Sequence, residues 1–461
     1  MEMNAAASTK TKARRTSPRG ALREANDAWL AGDWERAIAL LGGVELETRE
    51  DRVEAAFLLA RAALRAGQAA RALVALDDAA ELPQGPDERV TAAMLRGTAL
   101  VRLGRLDEGT PLLERAVGDA AVAHHMVRAE AGYALAHAYF SANRLDDAES
   151  ALDAHADPNA DIVHARALEY RAWVAVARTD YAAATRLFAD ALRRLDGCRH
   201  YDRFLEATAI HGIALLASER LDRTAWLQAE PRALRFDWSA DGLAHPYHLM
   251  AIHVSVIYEA EGRIREALRA THDAERIAIS PAHALYAQIR RAAILRVIRE
   301  RYAHDDLVAA IRRGLDEVAP SSLQGDLRWL PLALAEEIAY AGDVFGARAL
   351  VKRFHDLPSP SRMSAMADDP RDEAYQLFVD AVVADASGDL RDAHARYQRA
   401  FQIYHRIGYE RRALLAALRL GELTGQAYLL EYVDRTLRKL SARSPLRERA
   451  RLHNRPLLET D

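Results

Sequence analysis

Cysteine occurs once in the 461-residue chain, at Cys198. A lone thiol rules out an internal disulfide and any thiolate metal cluster within one chain, and it points to a reducing compartment, with the cytoplasm as the expected location. Lysine is confined to Lys10, Lys12, Lys352 and Lys439, and no Gly-x4-Gly-Lys-Ser/Thr loop exists to cradle phosphates. Aromatic residues make up 7% of the chain, although half of it is hydrophobic. No run approaches the ~18 consecutive apolar residues of a membrane span, and the first residues lack the apolar stretch of a signal peptide. The formal charge of −4 is small for this length, so no net field singles out nucleic acid or an anionic membrane as partner.

Local charge is less even. Lys10, Lys12, Arg14, Arg15 and Arg19 lie among Ser, Thr and Ala and read as a disordered basic tail over 1–19. Arg443, Arg447, Arg449, Arg451 and Arg455 make 441–461 a second basic tail. Both are expected to be solvated, and a phosphate contact is the lesser alternative for the second.

What the chain does have is a recurring turn. Gly32-Asp33-Trp34-Glu35-Arg36-Ala37, Gly67-Gln68-Ala69-Ala70-Arg71-Ala72, Gly262-Arg263-Ile264-Arg265-Glu266-Ala267, Gly342-Asp343-Val344-Phe345-Gly346-Ala347 and Gly388-Asp389-Leu390-Arg391-Asp392-Ala393 share one design. A helix stops at a residue able to turn left-handed, and a small side chain follows where the next helix crosses back. With that small residue as ruler, landmarks fall at Ala37, Ala72, Gly109, Ala148, Ala184, Thr224, Ala267, a position near Leu307, Ala347 and Ala393, spaced 35 to 46 residues apart. Apolar residues recur at helical spacing on both sides of each, as in Ala56, Leu59, Ala60 and Ala63, then Leu73, Leu76 and Ala79. Pro83, Pro158, Pro281 and Pro358 punctuate hairpin ends. The pattern predicts an all-α array of about nine or ten helical hairpins, each leaning on its neighbours. Repeats are expected over 20–224 and 249–440. Between them, 225–248 reads as an irregular aromatic-rich joint carrying Trp226, Phe236 and Trp238, with a contact loop as its functional alternative. Residues 355–372, rich in Pro, Ser, Met and Asp, read as a surface loop.

The small and glycine positions of these turns resemble the tetratricopeptide family. Ala60, Gly67, Ala72 and Ala79 fit its consensus places, as do Ala172, Tyr181, Ala184 and Ala191, and Ala381, Gly388, Leu390, Ala393 and Ala400. The resemblance covers most of 20–425 and implies a right-handed superhelix, or α-solenoid. The longer spacing, with Ala400, Tyr404, Ile407-Gly408, Arg412-Ala413 and Leu418, is similar to the C-terminal repeat region of large LuxR-type and maltose-activator-type bacterial regulators, without their nucleotide-binding and helix-turn-helix parts. In such arrays the first helix of each pair lines a concave groove. The implied partner-binding positions are Asn26, Trp29, Phe57, Arg61, Met94, Tyr133, His137, Phe140, Arg166, Glu169 and Trp173. Aromatics there supply buried area and arginine fixes a carboxylate, which suits a peptide or partner helix. The competing expectation is that longer helices close the superhelix and bury these side chains.

Catalytic motifs are absent. His124-His125 and the set His245, His248 and His253 do not converge at helical spacing, and Pro246 is expected to interrupt the set. Asp146-Asp147, Asp305-Asp306, Glu336-Glu337 and Asp368-Asp369 are adjacent, diverge on a helix and read as solvated faces. No cofactor, metal or enzymatic activity is expected. The sequence favours a non-enzymatic adaptor for a protein or peptide in bacterial signalling or transcription regulation. The alternative is a sensor whose curvature responds to a small molecule or peptide.

Overall fold

The computed structural model describes residues 17–30, 33–154, 161–198, 202–235, 243–320, 323, 325–357, 370–441 and 443–453. Phe236, Trp238, most of the loop expected after His355 and the greater part of both tails lie outside these residues. Among the described residues all regular structure is helical, and no helix is long and apolar enough to cross a membrane. The fold is an all-α array of antiparallel hairpins.

The chain divides into two units, 1–131 and 132–461. The first holds α1 (Pro18–Leu30), α2 (Trp34–Leu41), α3 (Arg49–Arg65), α4 (Ala69–Asp78), α5 (Pro86–Arg102) and α6 (Leu106–Asp119). The division falls within α7 (His125–Ser141). The second unit continues with α8 (Leu145–Ala154), α9 (Asp161–Ala177), α10 (Tyr181–Asp196), α11 (Arg203–Arg220), α12 (Arg223–Ala233), α13 (Ala244–Ala260) and α14 (Ile264–Arg276). Then come α15 (Pro281–Val297), α16 (Arg301–Glu317), α17 (Leu330–Tyr340), α18 (Val344–Asp356), α19 (Pro370–Ala386), α20 (Leu390–Arg406), α21 (Glu410–Thr424), α22 (Ala427–Arg438) and α23 (Pro445–His453).

The repeated turn works as its chemistry requires. Gly67, Gly262, Gly342 and Gly388 have φ of 73° to 94°, and where an aspartate follows the left-handed residue, as after Gly342 and Gly388, it caps the next helix. Asp180, Asp222, Asp343 and Asp389 each accept a hydrogen bond from the backbone N–H three residues on, at 2.8–3.1 Å. Each such cap is worth about 1 kcal/mol. Pro281 opens α15 behind the Ser280 cap, where its missing N–H costs nothing. In the first unit α5 and α6 cross on two glycines: a Cβ on Gly109 would stand 2.8 Å from the Gly97 carbonyl oxygen.

Two landmarks shift. The left-handed residues before α12 and α16 are Leu221 and Arg299, with φ of 52° and 63°. The crossing residues five places later are therefore Trp226 and His304, instead of Thr224 and Leu307, and both are buried. Bulky side chains fill these crossings, which hides them from a search for small residues. The stretch expected as an irregular joint is helical at both ends, in α12 and α13. Trp226 is 3% exposed and belongs to the core, not to a contact loop. Because Arg299 is exposed and held in a conformation that L side chains disfavour, Arg299→Gly is expected to stabilise the second unit by about 0.5–1 kcal/mol. A higher urea midpoint at unchanged helicity would show it; a lower one would mean the arginine side chain contributes more than its backbone costs.

Within the second unit the path returns on itself. Helix α21 packs against α11, and Leu221 shares one apolar cluster with Leu414, Leu418 and Leu430. The rings of Tyr181 and Tyr409 lie 6.2 Å apart, and a Cβ on Gly262 would meet the Arg443 carbonyl oxygen at 2.3 Å. The late helices thus pack back on α10, α11 and the turn after α13.

Candidate functional site

The residues expected along a groove fare differently in the two units. In the first, Phe57 and Met94 are 9% and 6% exposed, and the close packing of successive hairpins makes them core. Trp29 is half-buried against Leu22, Ala25, Leu41 and Leu58, and Asn26 is also half-buried. Arg61 stays partly open and lies 3.7 Å from Glu130.

In the second unit Tyr133, His137 and Phe140 on α7 gather around Tyr170 of α9, with ring centroids 4.5, 5.7 and 6.4 Å from it. Arg166 pairs with Asp202 at 2.8 Å. Glu169, 5% exposed, accepts from the Trp173 indole N–H at 2.7 Å. Trp173 lies edge-on to Phe188 at 5.1 Å and beside His211 at 5.5 Å, and His211 stacks on His253 at 5.6 Å. The polar line therefore runs from α9 across α11 to α13. Burial first, then neighbouring charge, pushes both imidazoles down, His253 to about 3, so they sit there neutral.

Pro246 does not interrupt the histidines. It lies in the first turn of α13, where a helix tolerates proline, and His245 and His248 both approach His283 of α15, at 5.4 and 5.2 Å. His248 is fully buried with Nδ1 2.9 Å from the Ala274 carbonyl oxygen, which makes Nδ1 the protonated nitrogen. Among the described residues no group of three or more His, Cys, Asp or Glu side chains is arranged to hold a metal ion.

Glu336 and Glu337, read from sequence as a solvated pair, are buried at 5% and 2% exposure. They diverge on α17 as expected, but each direction leads into protein. Glu337 takes Arg296 of α15 at 2.8 and 3.1 Å and His304 Nε2 at 3.1 Å, while Glu336 meets Arg296 at 3.4 Å and Arg412 of α21 at 3.3 Å. Arg412 also lies over the Tyr375 ring at 4.4 Å. Burial opposes the Arg412 charge, but Tyr375 and Glu336 outweigh it and hold its pKa above the usual range. Arg290 of α15 donates to Ser255 Oγ at 2.9 Å and pairs with Glu259, both on α13.

Where α11 ends against α21, the pairing is incomplete. Glu219 is 9% exposed, and its buried Oε2 has no hydrogen-bond partner among the described residues. Arg290 Nη1 and the Tyr404 hydroxyl are buried and likewise unpartnered among the described residues. Arg411 is set deep among protein atoms, keeps partial solvent access and, among the described residues, makes no ion pair. Burial, then repulsion from Arg290 and Arg412, lowers its pKa, while Glu259 and Glu219 act in the opposite direction. Tyr375 and Tyr409 are deep yet partly accessible too. Where these helices face one another, the inner face of the second unit offers charge-assisted hydrogen bonds and aromatic contact, and among the described residues no side chain on it is arranged as a nucleophile with its base.

No family model matches the chain, and no curated protein matches it by sequence. Solved structures do resemble it. A Rap protein complexed with competence and sporulation factor is 11% identical, over 77% of this chain and 100% of that one, with a TM-score of 0.48. The human IFIT1 dimer with PPP-AAAA is 14% identical over 92% of each chain with a TM-score of 0.44, and yeast Tom70 is 13% identical over 95% and 94% with 0.37. Likenesses this remote carry no residue, ligand or partner over to this chain.

Proposed function

We infer that the protein is a non-enzymatic binding protein that takes an extended peptide on the inner face of its 132–461 unit. One observation supports this above the rest: Trp173, His211, His253, Tyr375, Tyr409 and Arg411 lie deep inside the closed hairpin array yet remain partly accessible. A folded partner needs about 1,200 Å² or more of open surface, whereas a strand of peptide needs aromatic walls and a few fixed charges. The closure by α21 also favours the second reading, a small-molecule sensor, because a ligand gripped between α11 and α21 would bias how tightly the two ends hold. Asn26, Trp29 and Arg61 are a further proposed contact surface on the first unit. The setting we propose, from the resemblance of its repeats, is bacterial signalling or transcription regulation in the cytoplasm.

Panning a displayed library of random short peptides against the full chain tests the reading. Enriched peptides are expected to bind Trp173→Ala and Tyr409→Ala variants at least about tenfold more weakly, the loss of one buried aromatic contact. Peptides that bind both variants as they bind the wild type would place recognition elsewhere, and no enrichment would overturn peptide binding.

A further inference from the structure

Helices α11, α13 and α15 of the second unit bring a run of imidazoles together. His211 of α11 stacks on His253 of α13 at 5.6 Å, and His283 of α15 lies 5.2 Å from His248 and 5.4 Å from His245, both on α13. His248 is fully buried. Its Nδ1–H goes to the Ala274 carbonyl oxygen, and its buried Nε2 has no hydrogen-bond partner among the described residues, so a proton added there would be a donor without an acceptor. Ser218 Oγ gives its hydrogen to the Leu215 carbonyl oxygen at 2.8 Å and therefore accepts from His253 Nδ1–H at 3.3 Å. His283 Nδ1 stands 2.7 Å from Ser280 Oγ, the cap of α15.

Among the described residues no carboxylate forms an ion pair with His211, His248, His253 or His283, whereas His304 has two. The carboxylates on the helices packed around them are engaged elsewhere: Glu169 of α9 with the Trp173 indole, Asp196 of α10 with Arg232 of α12, and Glu230 of α12 with the Tyr258 hydroxyl. Glu275 of α14 takes Gln288 and Arg291, Glu337 of α17 takes Arg296, and Glu259 of α13 itself takes Arg290. Asp273 and Arg276 of α14 act on Tyr247, and Glu219 of α11 acts on Arg411 of α21. The charges that bear on His253 are the cations Arg411 and Arg290.

We propose that His211, His248, His253 and His283 form an acid-sensitive clasp between α11, α13 and α15, which holds while the rings are neutral and lets α13 come away from its neighbours when they take up protons. Burial first, then neighbouring cations or imidazoles, places all four below 6.5, His253 at about 3 and His283 at about 4. Their contribution is therefore complete above 6.5 and is lost as pH falls from there toward the folded values. Each ring set free makes opening about tenfold easier between pH 7.5 and 5.5, because the released imidazole is protonated there and the packed one is not. His304 on α16 works in the opposite sense, and it stays in place in every variant below. Peptide binding by the inner face is not required for this response.

Native-state hydrogen exchange of the full chain, corrected for the intrinsic exchange rate at each pH, tests this at the backbone amides of α13. In the wild type their opening constant is expected to rise by about 100-fold or more between pH 7.5 and 5.5, as two or more rings are released together. The His248→Gln and His283→Gln variants should each lose about tenfold of that rise, and the double variant about 100-fold. A side chain that only fills space would change exchange equally at both pH values and leave the rise intact. Titration of the labelled imidazole rings by NMR in the wild type needs no variant, so it stands even if a substitution unfolds the unit. There the four rings are expected to stay neutral until α13 loses its protection. A flat opening constant in the wild type, a full rise in the folded variants, or any of the four rings gaining its proton near pH 6.5 while α13 remains protected overturns the proposal.

Discussion

Glu337→Ala is expected to destabilise the 132–461 unit by about 3–5 kcal/mol, the cost of removing one partner from a buried ion-pair network. The size follows from what is left behind. Arg296 loses both of its hydrogen bonds to Glu337 and retains Glu336 at 3.4 Å, and His304 keeps Asp305 at 2.9 Å but loses its buried acceptor. Arg296 still lies over the Tyr340 ring at 4.0 Å, which cannot replace a carboxylate. Replacing Glu337, Arg296 and His304 together by apolar residues of similar volume is expected to cost far less than the single change, because no orphaned charge remains. Urea unfolding followed by tryptophan fluorescence measures this, with Trp173, Trp226, Trp238 and Trp329 in the 132–461 unit and Trp29 and Trp34 in the first. A shift below about 1 kcal/mol would mean that water or a side-chain rearrangement satisfies Arg296.

The same network has a pH signature. Burial opposes the ionised form of Glu337, but Arg296 and His304 outweigh it and hold its pKa below 4.5, so its contribution is present above the unfolded value and lost as pH falls through the folded one. Burial also opposes a charged His304, yet Glu337 and Asp305 raise it above 6.5, so that contribution is complete below 6.5 and lost as pH rises through the folded value. The stability difference between wild type and Glu337→Ala should therefore be largest at mildly acidic pH and shrink toward both extremes.

The hairpin rhythm was legible because its signal is local. A left-handed residue followed by Asp ends one helix and caps the next within a few positions, as at Gly342-Asp343 and Gly388-Asp389. The crossings at Trp226 and His304 were not legible, since only the assembled array shows that a large side chain fits there. The inner-face charges were harder still: Glu336 meets Arg412 from 76 residues away, and no spacing rule reaches that far. One clue was available. Leu332, Leu334, Ala335, Ile338 and Ala339 surround Glu336 and Glu337, and a helix apolar on every side is buried, so the charges it carries are buried with it. Glu219 on α11 follows the same logic, beside Leu216, Ala217 and Leu221. His245, His248 and His283 were separated by reading Pro246 as a break, although proline in a first turn leaves the helix whole.

The crossing of α10 and α11 carries the second large effect. Gly212 sits under the ring of Phe188, where a Cβ would stand 2.3, 2.5 and 2.6 Å from Cζ, Cε2 and Cε1. Phe188 is fully buried and braced edge-on by Trp173 at 5.1 Å, so the ring cannot retreat without moving the indole on the inner face. Gly212→Ala is expected to cost about 1–3 kcal/mol through overpacking, and Phe188→Ala about 3–5 kcal/mol through the cavity it leaves. In the double variant the new methyl group enters space the ring has vacated, so the combined cost should fall short of the sum by about 1 kcal/mol or more. Chemical denaturation of the four proteins closes the cycle. Strict additivity would mean that the ring swings clear of α11 when Gly212 is replaced, and Trp173 emission in the Gly212→Ala protein would then change while its unfolding midpoint hardly moved.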